Sequence, residues 1–348
     1  MSNVDDLREW NDLRAAEESP SILHDPAFSE IVARTYRCAA KFAVVRSQAG
    51  NTGVPAYCVS HSLFGHKVTS QPFSFYPGLL GAHDEVAAVR YLVDVARAEG
   101  HRCFVEYKTF TPLAPAWVDA VGPLQQIAPL VDSQLALPAD EAAQLQRYSK
   151  SFRQNLRTTG RRAAREGVVL GVAEHESDVR EFYGVLCRNN RDKHHTLTHP
   201  LSLYLDFFRL LRPQGKADFL LARRGNRVIA GIVILRSARH WEYVWAASRI
   251  VDKTLGLNTL LVDQMIRDAL AAGVRTIGFG ASSPKDAELL YFKSRWGCTH
   301  RPVYFTYWNH APAAVDLVSG YGFVRKVFPW VPTAVLAGAA PWVVPLLA

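Results

Sequence analysis

The chain has 348 residues, of which 49% are hydrophobic and 11% aromatic, which excludes a disordered protein and allows two domains with cores of their own. Lysine and arginine total 40 against 32 acidic residues. The net charge of +8 favours an anionic partner such as a nucleotide, RNA or a membrane surface, although many ordinary proteins are as basic. The five cysteines are odd in number and lack metal-ligand spacing, so we expect reduced thiols in a cytoplasmic protein. The first 18 residues are acidic, and we expect no secretory signal there.

The first part of the chain predicts a mixed sheet with helices. Residues 1–40 indicate helix, turn and helix, with the turn at His24-Asp25-Pro26. Strand-like runs follow, and then a helix with apolar residues at helical spacing that ends at Gly100. The run RCFVEYKTF is the next strand. A helix between strands implies a partly parallel sheet.

The same order of elements recurs in the second part. A strand is expected near LVDSQLALP, and helices over about 140–166 and 176–190. Two strands meet across the turn Gly225-Asn226, which is a hairpin signal. A third strand, HWEYVWAAS, leads to the helix NTLLVDQMIRDALAAG and then to another strand. We therefore expect domains at 1–135 and 136–310, followed by an apolar tail at 311–348.

Residues 276–297, TIGFGASSPKDAELLYFKSRWG, are the most informative stretch. A short strand, Thr276 to Phe279, precedes a polar turn and a helix with Ser283 as the predicted N-cap, Pro284 first and Asp286 third. The helix should end at Gly297. Its predicted apolar face alternates with three polar or charged residues: Tyr291, Lys293 and Arg295.

This strand, turn and helix with FK-x-x-WG resembles the last part of the acyl-transferring domain of FemAB-like proteins, a branch of the GNAT superfamily. SQPFSFYPGLLG is similar to their PF-x-x-YGG segment, with Pro77 in place of the first glycine. RYSKSFRQNLRTTGRRAAREG, CRNNRDKHHTLTHP and the tail are similar to three further family segments. The resemblance covers roughly residues 60–348, and it is closest to the branch associated with exopolysaccharide and PEP-CTERM systems.

The resemblance implies an α/β (α+β) fold of tandem GNAT-like domains, with mixed, partly parallel twisted sheets flanked by helices. It also implies an enzyme that transfers an acyl group to an amine, from acyl-CoA or aminoacyl-tRNA, without a metal. We lean to acyl-CoA because the helical hairpin arm of some tRNA-dependent relatives has no obvious counterpart. The acceptor would be an amino sugar or an envelope or exopolysaccharide precursor.

The donor phosphates of GNAT folds usually meet a helix N-terminus after the central strand. The matching segment here is SRIVDKTLGLNT, in which Arg249, Lys253 and Gly256 are candidates and the helix should begin near Asn258. The usual R/Q-x-x-G-x-G/A loop of the family is absent. A basic loop with a helix cap explains these residues equally well.

The final helix supplies three further candidates. Lys293 and Arg295 would hold donor phosphates, as basic residues do in this region of tRNA-dependent relatives, and Tyr291 would donate a proton to the leaving group. A solvated helix face and a packed tyrosine are the alternatives. Arg153, Arg157 and Arg161 repeat every four residues and would form a stripe that tracks an RNA backbone or merely faces water.

A general base is harder to choose from the sequence. His194 is a candidate because histidine titrates near neutrality, although a surface loop explains it as well. Glu106 matches a glutamate of the family and is a candidate for the acceptor site. The chain has no G-x-S-x-G motif and no P-loop.

The tail from Val331 to Ala348 has no charged residue but contains three prolines, which argues against an uninterrupted membrane span. Arg325 and Lys326 precede it, as in an interfacial anchor. We expect either packing against the second domain or peripheral contact with the inner face of a membrane. A non-catalytic glycan- or RNA-binding protein with the same fold is the alternative from another class.

Overall fold

The computed structural model describes residues 4–18, 20–61, 65–72, 78–100, 103–309, 331–333 and 335–338. The main helices are α1 (Val4–Ala16), α2 (Pro26–Tyr36), α3 (Glu85–Glu99), α4 (Pro115–Val121), α5 (Glu141–Arg147), α6 (Lys150–Arg165), α7 (Glu176–Asn189), α8 (Leu201–Asp206), α9 (Leu257–Ala271) and α10 (Ala287–Ser294). The strands are β1 (Ala39–Ser47), β2 (Gly50–His61), β3 (Gly65–Thr69), β4 (Leu80–Gly81), β5 (Cys103–Thr109), β6 (Leu124–Ala136), β7 (Val168–Val172), β8 (Ala217–Arg224), β9 (Arg227–Arg236), β10 (His240–Ser248), β11 (Thr276–Ser282) and β12 (Thr299–Trp308).

In the described residues these strands form one mixed sheet with the order β1-β2-β3-β5-β12-β6-β11-β10-β9-β8-β7, and β4 pairs with β2. Two neighbouring pairs, β3 with β5 and β10 with β11, are parallel, and each is joined through a helix. The hairpin predicted at Gly225-Asn226 joins β8 to β9. The expected mixed, helix-flanked α/β fold is confirmed.

The two parts of the chain exchange strands at the centre of this sheet. β12, the last strand, lies between β5 and β6 of the first part and is antiparallel to both. β6 in turn pairs with β11 of the second part. The predicted division at 135/136 falls near the end of β6, so the sheet runs across it without a break. The division into domains therefore stays a prediction.

Helices cover both faces of the sheet. α3 and α4 enclose an apolar cluster against β2, β3 and β5. In the second part, α6 and α9 pack on one face, where Leu261 and Met265 are fully buried. On the opposite face, α2, α7 and α8 enclose the largest apolar cluster, which includes Phe182 and Phe207. The site below therefore lies in a sheet that is enclosed from both sides.

Several predicted boundaries differ from the structure. The helix expected over 140–166 is two helices, α5 and α6, separated at Tyr148 and Ser149, and the Ser149 side chain caps α6. The final helix begins three residues later than predicted, because the N-cap is Asp286, whose carboxylate accepts a hydrogen bond from Leu289 N at 3.0 Å. Ser283 instead closes the preceding turn by accepting from Lys285 N. The helix ends at Ser294, before Gly297.

Parts of the predicted tail and of the PF-x-x-YGG-like segment lie outside the described residues, including Pro77, Arg325 and Lys326. Residues 335–338 are helical, and Ala337 packs against the apolar cluster under α2, α7 and α8. Among the helices of the described residues, none is both long and apolar enough to cross a bilayer.

Candidate functional site

A slot opens between β10 and β11 in the middle of the second part. These parallel strands pair only over residues 240–242 and 276–278, although both continue beyond them. β10 has a bulge between Tyr243 and Trp245, and β11 has an irregularity between Gly278 and Ala281, where Gly280 takes a φ of 67°. The strands therefore separate towards their carboxyl ends, where open α/β sheets usually bind ligands.

The N-terminus of α9 lies at the open end of this slot. β10 leads through a short 3₁₀ turn to Gly256, the N-cap, which has a φ of 65°. No side chain caps this end of α9, and the buried Oδ1 of Asn258 has no hydrogen-bond partner. A side chain at Gly256 would meet Thr159 Cγ2 of α6 at 2.8 Å, so α6 packs closely beside this turn. The turn offers peptide N–H groups and a helix dipole to an anion.

The structure places two of the four predicted donor-binding residues of this segment at one turn. Gly256 and Asn258 begin α9, and Arg249 lies at the end of β10. Arg249 and Arg224 both contact the buried carboxylate of Asp252, at 3.6 and 2.8 Å. Part of the charge of Arg249 is therefore already paired within the protein. The side chain of Lys253 lies outside the described part of the chain.

Lys293 occupies an interior position, contrary to the alternative of a solvated helix face. Only 3% of its surface is exposed, and its Nζ donates to Gly280 O at 2.6 Å and to Ser282 Oγ at 2.7 Å. Burial lowers its pKa to about 8, and the nearby charge of Asp132 opposes this shift. Lys293 therefore fixes the end of β11 where that strand leaves β10.

Arg295 and Tyr291 lie on the outer side of α10. The guanidinium of Arg295 stacks 4.1 Å above the ring of Phe152, and Tyr291 is 65% exposed. The packed tyrosine that the sequence allowed is therefore not what the structure shows. Tyr291 remains a candidate proton donor only for a ligand that reaches the surface of α10.

A buried polar cluster beside the slot was not identified from the sequence. His240 Nε2 and Glu242 Oε1 of β10 are 2.7 Å apart, and His240 Nδ1 lies 2.6 Å from Thr276 Oγ1. Burial alone would lower the pKa of His240, but the carboxylate of Glu242 raises it overall. The only signal in the sequence was the alternation of polar residues in HWEYVWAAS.

Asp132 of β6 belongs to the same cluster. It is fully buried, its Oδ2 accepts from Arg301 Nε at 3.2 Å, and its Oδ1 has no hydrogen-bond partner. Burial raises its pKa, the charge of Glu242 adds to this shift, and Arg301 opposes it. Asp132 of β6 pairs with Ala281 of β11. Glu242 of β10 pairs with Gly278 of β11, and Gly278 in turn pairs with Gln134 of β6. Asp132 and Glu242 thus face the same side of the sheet, on the two strands that flank β11.

Two histidines flank the approach to α10 and β10. His194 is the last residue of a π-helical turn. Partial burial and the charge of Lys193 lower the pKa of His194, and the charge of Asp286 opposes this shift. Because Asp286 is the N-cap of α10, His194 lies near the N-terminus of that helix. His199, which was not among the candidates, packs its ring 5.0 Å from Trp245, and its Nδ1 lies 2.5 Å from Tyr36 Oη. Burial lowers the pKa of His199 to about 4, which keeps it neutral.

Glu106 lies apart from the slot. Its carboxylate is buried between Lys67 and Lys108, each 3.4 Å away, and accepts a hydrogen bond from the hydroxyl of Tyr307 at 3.2 Å. Burial alone would raise its pKa, but the two lysines lower it overall. β12 and β6 separate β5 from β11, which puts Glu106 about 14 Å from the slot. The structure does not group Glu106 with Lys293.

The arginine stripe is only partly free. Arg157 and Arg161 are exposed on α6, but Arg153 is partly buried and donates to Leu145 O at the end of α5.

Among the described residues, no group of three or more His, Cys, Asp or Glu side chains is arranged to hold a metal ion.

Residues 150–293 match the family model described as an acetyltransferase (GNAT) domain. This range contains the slot, the N-terminus of α9 and Lys293. This part of the chain therefore matches an acyl-transferring GNAT domain, which supports an enzyme that transfers acyl groups, and the expected GNAT relationship is confirmed for these residues. No curated protein matches the chain in sequence.

Solved structures extend the likeness beyond the GNAT domain to nearly the whole chain. FemX is similar with a TM-score of 0.64 at 12% identity, covering 91% of this chain and 98% of its own. The C-terminal domain of a putative lysylphosphatidylglycerol synthetase from Agrobacterium fabrum gives 0.56 at 16%, covering 91% and 95%. A tandem GNAT protein from the clavulanic acid pathway gives 0.51 at 14%, covering 87% and 94%. At these identities the likeness establishes a shared fold.

Proposed function

We propose that the protein is an N-acyltransferase that moves an acyl group from acyl-CoA to a primary amine on a small acceptor. The observation that carries this proposal is the slot between β10 and β11, which ends at the uncapped N-terminus of α9. Unpaired strand edges suit an extended ligand arm, and a helix N-terminus suits phosphates. A thioester with a phosphate-bearing tail fits both parts of the slot.

In this mechanism the amine nitrogen attacks the thioester carbonyl carbon, the carbon–sulfur bond breaks, and the CoA thiol leaves with a proton. The ammonium of the acceptor must first lose a proton. We propose that the carboxylate of Asp132 accepts this proton, because Asp132 Oδ1 has no hydrogen-bond partner and burial raises the pKa of Asp132. The bulge on β10 leaves Val244 outside the ladder with β9, and its backbone N–H is the candidate donor to the oxyanion.

Aminoacyl-tRNA is the second candidate donor. The fold of FemX and the exposed pair Arg157 and Arg161 support it. A tRNA donor would need contacts along its backbone, whereas CoA needs only a compact phosphate site. This difference makes the two donors separable by charge variants.

The test of the donor is Asn258→Asp, which adds a negative charge beside the first turn of α9. Binding of CoA, measured by calorimetry, should weaken at least about tenfold, because the charge repels phosphate. The melting temperature should hold or rise, because an acidic side chain at a helix N-terminus is favourable. Gln264→Glu adds the same charge two turns further along α9 and should leave CoA binding unchanged. Absence of CoA binding to the unmodified protein would reject acyl-CoA as the donor.

The tRNA alternative predicts a different result. Binding of charged tRNA should then fall steeply with salt, and the double change Arg157→Gln with Arg161→Gln should flatten the log–log slope by about 1.4, or 0.7 for each single-strand phosphate. The double variant should keep its affinity for CoA. A slope that stays the same would remove α6 from the donor site.

Asp132→Asn tests the proton acceptor. The amide keeps the shape of the side chain but does not accept a proton from an amine. We expect acyl transfer at pH 7 to slow by about 10²–10⁴-fold with CoA affinity unchanged, since a general base contributes that much. Ser133→Ala, one residue along β6 on the other face, is the control. Full activity of Asp132→Asn would refute the assignment.

The acceptor and the place of action are proposals from family resemblance. We propose an amino sugar or an envelope or exopolysaccharide precursor as acceptor, and a position at the inner face of the membrane reached through the tail at 311–348. The full chain should then sediment with anionic vesicles and be released by high salt, because attraction to the lipid surface is screened. A chain that ends at Asn309 should not sediment. Equal sedimentation of both chains would contradict the role of the tail.

A further inference from the structure

A cleft of about 480 Å³ opens on the second part of the sheet, away from the slot. It lies between the N-terminal helices and the ends of β9 and β10, and its lining includes Arg14, Asp25, Gln214, Lys216, Arg236 and Trp241. This volume is within the range of small-molecule sites. Of the described charged residues that line it, three are cations and one is a carboxylate.

The charges around the cleft do not balance. Three carboxylates in the described chain are each shared by two cations: Asp25 by Arg14 and Lys216, Asp218 by Arg212 and Arg236, and Glu18 by Arg239 and Arg275. The lining of the cleft itself contributes three of these cations and one of the carboxylates, an excess of +2. A concave surface with an excess of one sign attracts ions of the opposite sign.

Two cations of the cleft are held in place by contacts that do not use all their donors. Arg236 stacks 4.2 Å above the ring of Trp241 and pairs with Asp218 at 2.7 Å, while its buried Nε has no hydrogen-bond partner. Lys216 is fixed by Asp25 at 2.8 Å and by Gln214 Oε1 at 2.7 Å. These groups are already positioned before a ligand arrives, which reduces the entropy lost on binding.

We propose that this cleft binds the phosphate group of a small molecule. Arginine forks and lysine ammonium groups are the side chains that recognise phosphate, and the guanidinium over Trp241 presents a rigid planar donor. The cleft lies at the amino end of β10, whereas the slot opens at the carboxyl end of the same strand. From Trp241 to the end of β10 the strand rises about 23 Å, at about 3.3 Å per residue, so the cleft is a second anion site, separate from the N-terminus of α9 where the donor phosphates are placed.

The test uses inorganic pyrophosphate as the probe, with the full chain in magnesium-free buffer. Calorimetry should detect its binding, and Arg14→Gln should weaken it about tenfold, because one cation is lost while Lys216 still pairs with Asp25. Gln214→Glu should weaken binding at least as much. That change adds a charge to the lining without removing a cation, and the new carboxylate still accepts from Lys216, so the protein should stay folded. Circular dichroism and the melting temperature check the fold of both variants.

Gln264→Glu, which adds the same charge on α9, should bind pyrophosphate as the unmodified protein does. Asn258→Asp separates this cleft from the N-terminus of α9. Retention of pyrophosphate binding by Asn258→Asp, with loss in Arg14→Gln and Gln214→Glu, supports the cleft. Absence of binding at 10 mM pyrophosphate, or loss in Asn258→Asp but not in Gln214→Glu, would overturn the proposal.

Discussion

Lys293 carries an ammonium group in an almost fully buried position. Its hydrogen bonds to Gly280 O and Ser282 Oγ replace part of its lost hydration, and burial still lowers its pKa from 10.5 to about 8. In the unfolded chain the same lysine titrates at its ordinary value. Below pH 8 the lysine is charged in both states, and keeping it charged in the folded state lowers the free energy of unfolding by about 3 kcal/mol, at 1.4 kcal/mol per pKa unit.

The pH dependence follows from this difference. Between about pH 8 and 10.5 the unfolded chain binds more protons than the folded chain, so the free energy of unfolding should rise with pH in this window. Lys293→Met removes the titrating group, and urea unfolding of this variant should show a flatter pH dependence over the same window. Lys285→Met, a change of the same kind at an exposed position of the preceding turn, should keep the slope of the unmodified protein. Parallel curves for all three proteins would show that Lys293 has an ordinary pKa.

At the scale of single elements, two glycines predict opposite effects of the same substitution. A Cβ at Gly231 on β9 would meet Leu221 Cδ2 at 2.6 Å and Phe182 Cδ2 at 2.8 Å, and both neighbours are fully buried. Gly231→Ala should lower the free energy of unfolding by about 1–3 kcal/mol, the usual effect of overpacking. The shift in the urea midpoint measures it.

Gly160 is the matched comparison, because it lies inside the helix α6 and the nearest atom to its Cβ would be Leu260 Cδ2 at an ordinary 3.9 Å. Gly160→Ala should raise the free energy of unfolding by about 0.5–1 kcal/mol, because alanine loses less backbone entropy in a helix. Equal effects at the two positions would show that the packing around Gly231 relaxes freely.

Local patterns predicted most of these elements. The periodicity of α3 and its stop at Gly100, and the turn at Gly225, depend on residues a few positions apart, so the sequence alone indicates them. β7 and β12 were not predicted, because their residues make sense only beside strands that are distant in the chain. The start of α10 was misplaced because Ser283 and Asp286 are both good caps, and only the folded turn decides between them.

The site was less predictable than the elements for the same reason. The turn at Gly256 and Asn258 is local, and the sequence identified it. Asp132 and Lys293 come together from strands and helices 161 positions apart, and neither the burial of the lysine nor the unpartnered Oδ1 of the aspartate leaves a mark in the sequence. Family resemblance selected Lys293 and assigned it to the donor phosphates, a role that stays a prediction.

At the scale of the whole molecule, the exchange of strands makes the first part dependent on the second. β6 pairs with β12 and β11, both from the second part, and β5 has β12 on one side. A fragment of residues 1–136 should therefore lack a cooperative unfolding transition. Because Thr299 pairs with Gln134, a short turn can join β6 to β12 as a hairpin. Fusing residues 299–309 to the fragment through such a turn should restore cooperative unfolding in urea.

The control for this fusion carries Val303→Asp, since Val303 is fully buried among apolar neighbours at the centre of β12. An aspartate there should abolish the recovery, because a buried unpaired charge is strongly unfavourable. Cooperative unfolding of the unfused fragment would show that the first part folds on its own.

The position of β12 also affects how the protein is made. β6 is complete at residue 136, but the strand that pairs beside it is not finished until residue 308, about 170 residues later. At about 5–20 residues per second, the ribosome needs roughly 10–35 s for that interval. Throughout it, β5 and β6 present open edges that other nascent chains can pair with. The strand that completes the sheet beside β5 and β6 is therefore synthesised last. Until β12 leaves the ribosome, the nascent first part depends on dilution or on chaperones to avoid pairing with other chains.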